Sequence, residues 1–112
     1  MKATSFLPLK PVWFHILVTV ADRPTHGYAI RQEVEARTEG SIRLWPTTLY
    51  GTLSQLEEAG LIEELPASRS EEEARRTYRL TTLGHQVLVA ETKRLDGLLR
   101  AARVALSRKR MA

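Results

Sequence analysis

The stretch WPTTLYGTLSQLEEAGLIEEL, residues 45–65, decides the fold of this 112-residue chain. Pro46 suits the first turn of a helix, where its missing N–H leaves no hydrogen bond unmade. Gly60 followed by a leucine is typical of a Schellman stop. We therefore predict a helix over about 46–59 that leads into a strand over 61–65. Three leucines form the inner stripe of this helix: Leu49, Leu53 and Leu56.

The segment before this helix predicts two shorter helices. Apolar residues recur at helical spacing after Pro11, and Thr25 is a candidate N-cap for the second helix. Gly40 suits the left-handed position after that second helix. The predicted segments are a loose arm over 1–8, a helix over 11–21, a helix over 25–38 and an extended piece over 41–44.

The segment after residue 65 predicts a hairpin and one long helix. A second strand over 77–80 follows a polar, charged loop, and a helix capped by Thr81 or Thr82 runs to about Lys109. Its apolar residues recur in steps of seven, four, three and four, which is a heptad seam that favours a partner helix. The seam, a predicted dimer interface, consists of Leu88, Leu95, Leu99, Ala102 and Leu106.

This element order is that of a winged helix. We predict a mainly α fold with a small β-hairpin, that is, a winged helix-turn-helix with a long C-terminal dimerisation helix. The helix over 46–59 is the predicted recognition helix, and the hairpin tip is the wing. We assign residues 1–80 to a winged-helix DNA-binding domain and residues 81–112 to the dimerisation helix with its basic tail.

Composition and charge narrow the class of protein. Hydrophobic residues make up 43% and charged residues 27%, which is a globular composition. The net charge of +4 comes from residues 93–112, with seven Lys/Arg and one Asp, whereas residues 1–92 carry ten Lys/Arg and twelve Asp/Glu. Basic residues in the last turns of a helix match its dipole, so the tail is taken as solvated. No apolar run is long enough to cross a membrane, and we expect a cytoplasmic protein.

The sequence offers no enzymatic or metal chemistry. It contains no cysteine, no pair of histidines at metal-ligand spacing and no glycine-rich phosphate loop. His26 is interpreted as a helix cap or surface group. We therefore expect a protein that is not an enzyme and that has no cofactor and no metal site.

Four sequence stretches form a recognisable set when taken together and in order. They are Leu9-Lys10-Pro11; His26-Gly27-Tyr28-Ala29-Ile30; Thr48-Leu49-Tyr50 continued by Leu53, Leu56-Glu57 and Gly60-Leu61-Ile62; and Arg76-Thr77-Tyr78-Arg79-Leu80-Thr81 with Gly84. These stretches resemble the PadR family of bacterial transcriptional regulators. The resemblance covers about residues 9–100, and the single long last helix resembles the short form of the family. The resemblance implies a homodimeric repressor that binds a palindromic operator in double-stranded DNA and is often released by a small-molecule effector.

The predicted DNA contacts lie on the recognition helix, on the wing and at the start of the second helix. Gln can pair with adenine and Thr can contact a thymine methyl group in the major groove, whereas arginine can hold a phosphate or enter the minor groove. A solvated helix face and a solvated loop whose charges cancel are the alternatives. The recognition-helix candidates are Thr47, Thr48, Tyr50, Gly51, Ser54 and Gln55, and the wing candidates are Arg75 and Arg76. Tyr28 is either a phosphate donor or a core ring.

Two aromatic residues of the first helix have two interpretations. The resemblance implies that the first helix packs on the last helix of a partner subunit, so Trp13 and Phe14 form part of the dimer core, or Trp13 acts as a stacking plate for an effector together with Leu95 of the last helix. The last helix has no aromatic residue, which disfavours a planar drug stacked on it. An alternative function for the whole chain is a winged-helix module for protein–protein contact, because the recognition helix has no Lys or Arg and residues 1–92 are net acidic.

Overall fold

The structure is a computed structural model that describes residues 2–66 and 76–111. A short 3₁₀ helix, Ala3–Phe6, opens that part of the chain. The elements that follow it are α1 (Pro11–Asp22), β1 (Thr25–His26), α2 (Gly27–Arg37), α3 (Pro46–Glu58), β2 (Ile62–Glu64), β3 (Thr77–Leu80) and α4 (Thr82–Met111). The predicted fold class is confirmed: the protein is mainly helical, with a small antiparallel sheet and a long last helix.

The end of α3 has the predicted Schellman geometry. Gly60 has φ of +79° and donates its N–H to the Glu57 carbonyl at 2.9 Å. The N–H of Leu61 donates to the Leu56 carbonyl at 3.0 Å, and its side chain is fully buried. This stop turns the chain from α3 directly into β2.

The sheet has one strand more than the predicted hairpin. Its order is β1-β3-β2, and both pairings are antiparallel. The extra strand β1 includes Thr25, which pairs with Tyr78, so the interpretation of Thr25 as the N-cap of α2 was wrong. Its hydroxyl donates to the Arg23 carbonyl, and His26 caps α2 through Nδ1, which accepts from the N–H of Ala29 at 3.3 Å.

The core lies between α1, α2, α3, the sheet and the first half of α4. Each helix contributes the residues that its apolar spacing predicts, because positions three and four apart share one face. Tyr78 of β3 is the largest of the fully buried side chains. The buried members from α1 to α4 are Ile16, Leu17, Val20, Ile30, Val34, Leu44, Leu49, Leu53, Leu56, Leu61, Ile62, Tyr78 and Val87.

Gly40 has the predicted left-handed backbone after α2, with φ of 80°, and Glu39 before it is left-handed as well, with φ of 52°. The segment over 41–44 pairs with no strand; it is a loop whose last residue, Leu44, is buried in the core.

The sequence predicted a loose N-terminal arm, but the structure shows that the arm is packed against the rest of the chain. Its 3₁₀ helix packs on α4, and Phe6 is partly buried against the core. The N–H of Leu9 donates to Oε2 of Glu91 at 3.0 Å, and Glu91 is only 2% exposed. The guanidinium of Arg94 binds the same carboxylate through Nε at 2.5 Å and Nη2 at 2.9 Å. This buried carboxylate therefore joins the arm to α4.

The start of α4 contacts the end of α3 through backbone atoms. Thr81 caps the helix by accepting from the N–H of Gly84 at 2.9 Å, and its hydroxyl donates to the Gly60 carbonyl at 2.6 Å. The N–H of Thr81 donates to the Leu61 carbonyl at 3.1 Å. A Cβ on Gly84 would lie 2.0 Å from that same carbonyl oxygen, a separation that real structures do not allow. Only glycine permits this approach.

We predict that Gly84→Ala destabilises the protein by about 3 kcal/mol, because the added methyl group forces α4 away from the Leu61 carbonyl. Gly97→Ala is the matched control on the same helix, since a Cβ there meets nothing within 4 Å. We expect this control to raise the free energy of unfolding by up to about 1 kcal/mol. Urea unfolding at one protein concentration measures both, and equal effects of the two changes would contradict the packing argument.

We predict a pH-dependent stability term from Glu91. The Arg94 hydrogen bonds and the Leu9 N–H lower the pKa of Glu91 below its ordinary value of 4.5, although burial opposes them. The ionised carboxylate therefore contributes stability that is fully present above about pH 4.5 and is lost as the pH falls through the lowered pKa.

The variant Glu91→Gln should be less stable than the wild type by about 2 kcal/mol at pH 7, since it removes a charge-assisted hydrogen bond. This difference should shrink as the pH falls below 4.5. Thermal unfolding of both proteins between about pH 3 and pH 7 measures it. A difference that stays constant over the whole range would show that Glu91 does not act through its charge.

Candidate nucleic-acid interface

The outer face of α3 is exposed and carries no Lys or Arg. The leucines of the inner stripe are at most 2% exposed, so the helix turns its remaining side chains outwards. All six recognition-helix candidates lie on this exposed side: Thr47, Thr48, Tyr50, Gly51, Ser54 and Gln55. The structure thus places the predicted residues together, and their contact with bases remains a prediction.

Two glycines shape this face. A Cβ on Gly51 would meet nothing within 4 Å, so the glycine is not needed for packing within the chain. A Cβ on buried Gly27 would lie 2.8 Å from the hydroxyl oxygen of Tyr50. The missing side chain of Gly27 therefore lets the Tyr50 ring lie against the start of α2, which holds α3 close to α2.

Tyr28 is 57% exposed at the start of α2. The alternative of a core ring is therefore wrong, and contact with a phosphate remains the prediction for its hydroxyl. The interpretation of His26 as a cap is confirmed by its acceptance from the Ala29 N–H.

The wing carries cations that face glutamates. Nε of Arg76 lies 3.7 Å from a carboxylate oxygen of Glu64, and Nε of Arg79 lies 2.6 Å from one of Glu63. Burial raises the pKa of Tyr78 above its ordinary value, although a hydrogen bond from the Arg76 guanidinium opposes this rise. Arg76 is therefore held in place and exposed, but its charge is partly compensated. The other wing candidate, Arg75, lies outside the described residues.

The predicted dimer seam divides into two parts. Leu88 is partly buried and packs against the core of its own chain. Beyond it, Leu95, Leu99 and Leu106 are 37%, 49% and 65% exposed, and Ala102 is exposed as well. The seam after residue 94 thus presents apolar side chains that no part of the described chain covers.

The predicted effector residues do not line the groove between α1 and α4. Trp13 and Phe14 of α1 are partly buried against the core, and Nζ of Lys10 lies 5.7 Å from the centre of the Trp13 ring. A groove of about 530 Å³ between the end of α1 and α4 is lined by Ala21, His85, Leu88, Val89, Thr92, Lys93 and Asp96. Neither Trp13 nor Leu95 lines this groove, and their effector role stays a prediction.

Several exposed residues were not predicted from the sequence. Leu98, 56% exposed, belongs with the seam, and its spacing of three from Leu95 was a usable signal. Arg43 is exposed just before α3, and its guanidinium has no partner within 2–66 and 76–111. The pairing of the wing arginines with Glu63 and Glu64 depends on strand register, which the sequence does not fix.

Comparison with known proteins identifies the family. The profile of the transcriptional regulator PadR-like family matches residues 16–90, which is most of the chain. The chain belongs to the PadR-like family of transcriptional regulators. The predicted family is therefore confirmed, and this is a family of regulators and not of enzymes.

A curated relative of this PadR-like chain is the transcriptional regulator Rv3488 of Mycobacterium tuberculosis. It is 36% identical over 92 residues, which cover 80% of this chain and 79% of that protein. A second relative, an uncharacterised protein of Lysinibacillus sphaericus, is 34% identical over 73 residues, or 65% of this chain and 67% of that protein.

Solved structures agree in fold with this PadR-like chain. A PadR family transcription regulator from Clostridium difficile R20291 has a TM-score of 0.71 at 20% identity, over 87% of this chain and 99% of that one. PadR of Bacillus subtilis in complex with operator DNA has a TM-score of 0.63 at 20% identity, over 74% of this chain and 46% of that one. No helix in the described part of the chain is both long and apolar enough for a membrane span.

We predict that Gly51→Ala raises stability and lowers DNA affinity. The methyl group enters open space and favours the helix, so the free energy of unfolding should rise by up to about 1 kcal/mol. The affinity for DNA should fall if the α3 backbone approaches the bases at this point. Urea unfolding and fluorescence anisotropy measure the two quantities. Gly97→Ala serves as control, and unchanged affinity of Gly51→Ala would mean that no close approach occurs there.

Proposed function

We propose that this PadR-like regulator is a homodimeric repressor that binds a palindromic operator in double-stranded DNA and is released by a small-molecule effector. The observation that carries the proposal is the exposed face of α3, where polar side chains and a bare glycine backbone are held on a winged helix. Hydroxyl and amide side chains can read base edges in the major groove. The fold shared with an operator-bound PadR supports this docking.

The apolar second half of α4 supports the homodimer. Leu95, Leu98, Leu99 and Leu106 are all more than a third exposed. Side chains of this size are rarely left open to water along one side of a long helix unless another surface covers them. A second copy of α4 offers the same seam, and a two-fold dimer would place two α3 helices about 34 Å apart, one turn of B-DNA.

Repression and effector release rest on the family resemblance. An effector would have to change the distance or the angle between the two α3 helices, because only a difference in affinity between two states can release DNA. Trp13 and Leu95 are our candidates for its contacts, since α1 and α4 are the elements that would meet across the dimer.

The first experiment measures binding to DNA from upstream of the protein's own coding region against a scrambled duplex. Fluorescence anisotropy at two salt concentrations gives the affinities, and sedimentation of the complex gives the number of protomers. Preference for the upstream DNA at the higher salt, with two protomers per site, is the expected result. Binding to the upstream region would indicate autoregulation. If the protein prefers neither duplex, its operator must be sought in a panel of other genomic fragments.

We predict opposite signatures for two site variants. Arg76→Ala should weaken binding to every sequence and lower the slope of log affinity against log salt by about 0.9 for each phosphate that is no longer bound. Gln55→Ala should relax the preference at one base position and leave this slope unchanged. If neither variant alters binding, the contacts assigned to the wing and to α3 are wrong.

A protein-binding module is the second candidate function. The α3 face has no Lys or Arg and ends in Glu57 and Glu58, which favours protein binding over a generic DNA surface. Absence of DNA binding even at low salt, together with salt-insensitive binding to a protein, would support this function in place of the first.

A further inference from the structure

Trp45 has an exposed indole ring, which contributes little burial of apolar surface to the stability of the fold. It is 61% exposed and immediately precedes Pro46, the first residue of α3. Its backbone N-caps the helix, but its side chain makes no cap hydrogen bond. Tryptophan is a large apolar group with one N–H donor, and it is concentrated at surfaces that bind something. The fold therefore does not explain this residue.

The Trp45 ring lies beneath a cation. The guanidinium carbon of Arg31 is 5.7 Å from the ring centre, within cation–π range. Nε of Arg31 also donates to Glu35 at 3.3 Å, one turn further along α2. These two contacts fix the guanidinium but leave both of its terminal NH₂ groups without an acceptor among residues 2–66 and 76–111. Arg31 is thus a positioned donor with free N–H groups.

A second cation, Arg43, lies in the segment between α2 and α3. Arg43 is exposed two residues before Trp45 and has no ion pair in the described part of the chain. The α3 face itself has no Lys or Arg, and the described wing arginines face Glu63 and Glu64. Arg31 forms an ion pair with Glu35, so Arg43 is the member of this pair of arginines whose charge is uncompensated within residues 2–66 and 76–111.

We propose that Arg31, Trp45 and Arg43 form a binding site for the sugar-phosphate backbone of DNA, which we call the turn site. Arg31 and Arg43 donate to phosphate oxygens, and Trp45 is a positioning residue that holds the Arg31 guanidinium. The site supplies affinity without sequence preference, because phosphates are alike along DNA. This proposal rests on the proposed DNA-binding function.

The test uses a labelled duplex of about 30 base pairs with mixed sequence, so that no operator needs to be known. Wild type, Arg31→Gln and Arg43→Gln are titrated at several salt concentrations between about 50 and 200 mM. Arg100→Gln is the control: it removes one positive charge from α4, where Arg100 is 79% exposed and pairs with Asp96. All three variants have the same net charge.

Both turn-site variants should bind more weakly at low salt, with a salt slope lower by about 0.9 for each phosphate that the variant no longer binds. Their deficit in affinity should therefore shrink about threefold for each such phosphate between the two ends of the salt range. Arg100→Gln should keep the wild-type slope. Thermal unfolding of each variant checks that it is folded.

Trp45 is tested by its coupling to Arg31. Trp45→Ala should lower the salt slope, Trp45→Phe should restore most of it, and Trp45→Ala should add nothing to Arg31→Gln. In the Trp13→Phe background, which leaves Trp45 as the only tryptophan, DNA should change the indole emission. A merely structural role for the ring would alter the unfolding temperature and leave the slope and the coupling unchanged.

The outcomes separate this proposal from the proposed function. If wild type binds and both turn-site variants keep its slope and affinity, only the turn site is wrong. If Arg100→Gln reduces the slope as much as they do, the effect is one of general charge and the turn site is again overturned. If wild type binds no duplex even at the lowest salt, the DNA-binding function and the turn site both fail.

Discussion

The approach of Gly84 to the Leu61 carbonyl is the constraint on which the arrangement of the two functional helices depends. The left-handed turn at Gly60 places that carbonyl, and Thr81 then binds the same turn through its hydroxyl and its N–H. At Gly84 no side chain lies between α4 and the Leu61 carbonyl. The Thr81 hydroxyl and backbone N–H therefore join the start of α4 directly to the turn that ends α3.

This junction matters because α3 and α4 have different predicted partners. The outer face of α3 is proposed to meet DNA, while the apolar half of α4 is proposed to meet a second protomer. If the angle between them is fixed within one chain, the separation of two α3 helices in a dimer depends on how two α4 helices cross. The link between Glu91 and Leu9 makes the N-terminal arm part of the same body as α4. An effector that alters the crossing of α4 helices would then move both recognition helices together.

The sequence predicted the elements that local signals define, and it failed where distant residues decide. Gly60 marked the end of α3, because a glycine stop is readable within six residues. Thr25 was misjudged, since its strand pairing with Tyr78 joins residues more than fifty positions apart. The arm was misjudged for the same reason: its anchor, Glu91, is 82 positions from Leu9. At the site, helical periodicity predicted the exposed face of α3. It could not predict which arginines pair with a glutamate on the neighbouring strand, because that depends on strand register.

The distribution of charge around α3 suggests how affinity and specificity are divided. In the proposed function, a recognition face without Lys or Arg would gain little from the field of the DNA and would discriminate between sequences through short-range hydrogen bonds and methyl contacts. The wing arginines, Arg76 and Arg79, already lie against carboxylates, and a phosphate must compete with Glu64 and Glu63 for them. Such competition lowers the net gain from each contact, because a new ion pair replaces one that is already formed. Arg31 is likewise paired through its Nε, with Glu35, and differs only in that the indole ring of Trp45 holds its face. Arg43 has no ion pair in the described part of the chain, so a phosphate bound there has no carboxylate to displace. It lies just before the N-terminus of α3, where the helix dipole also favours an anion.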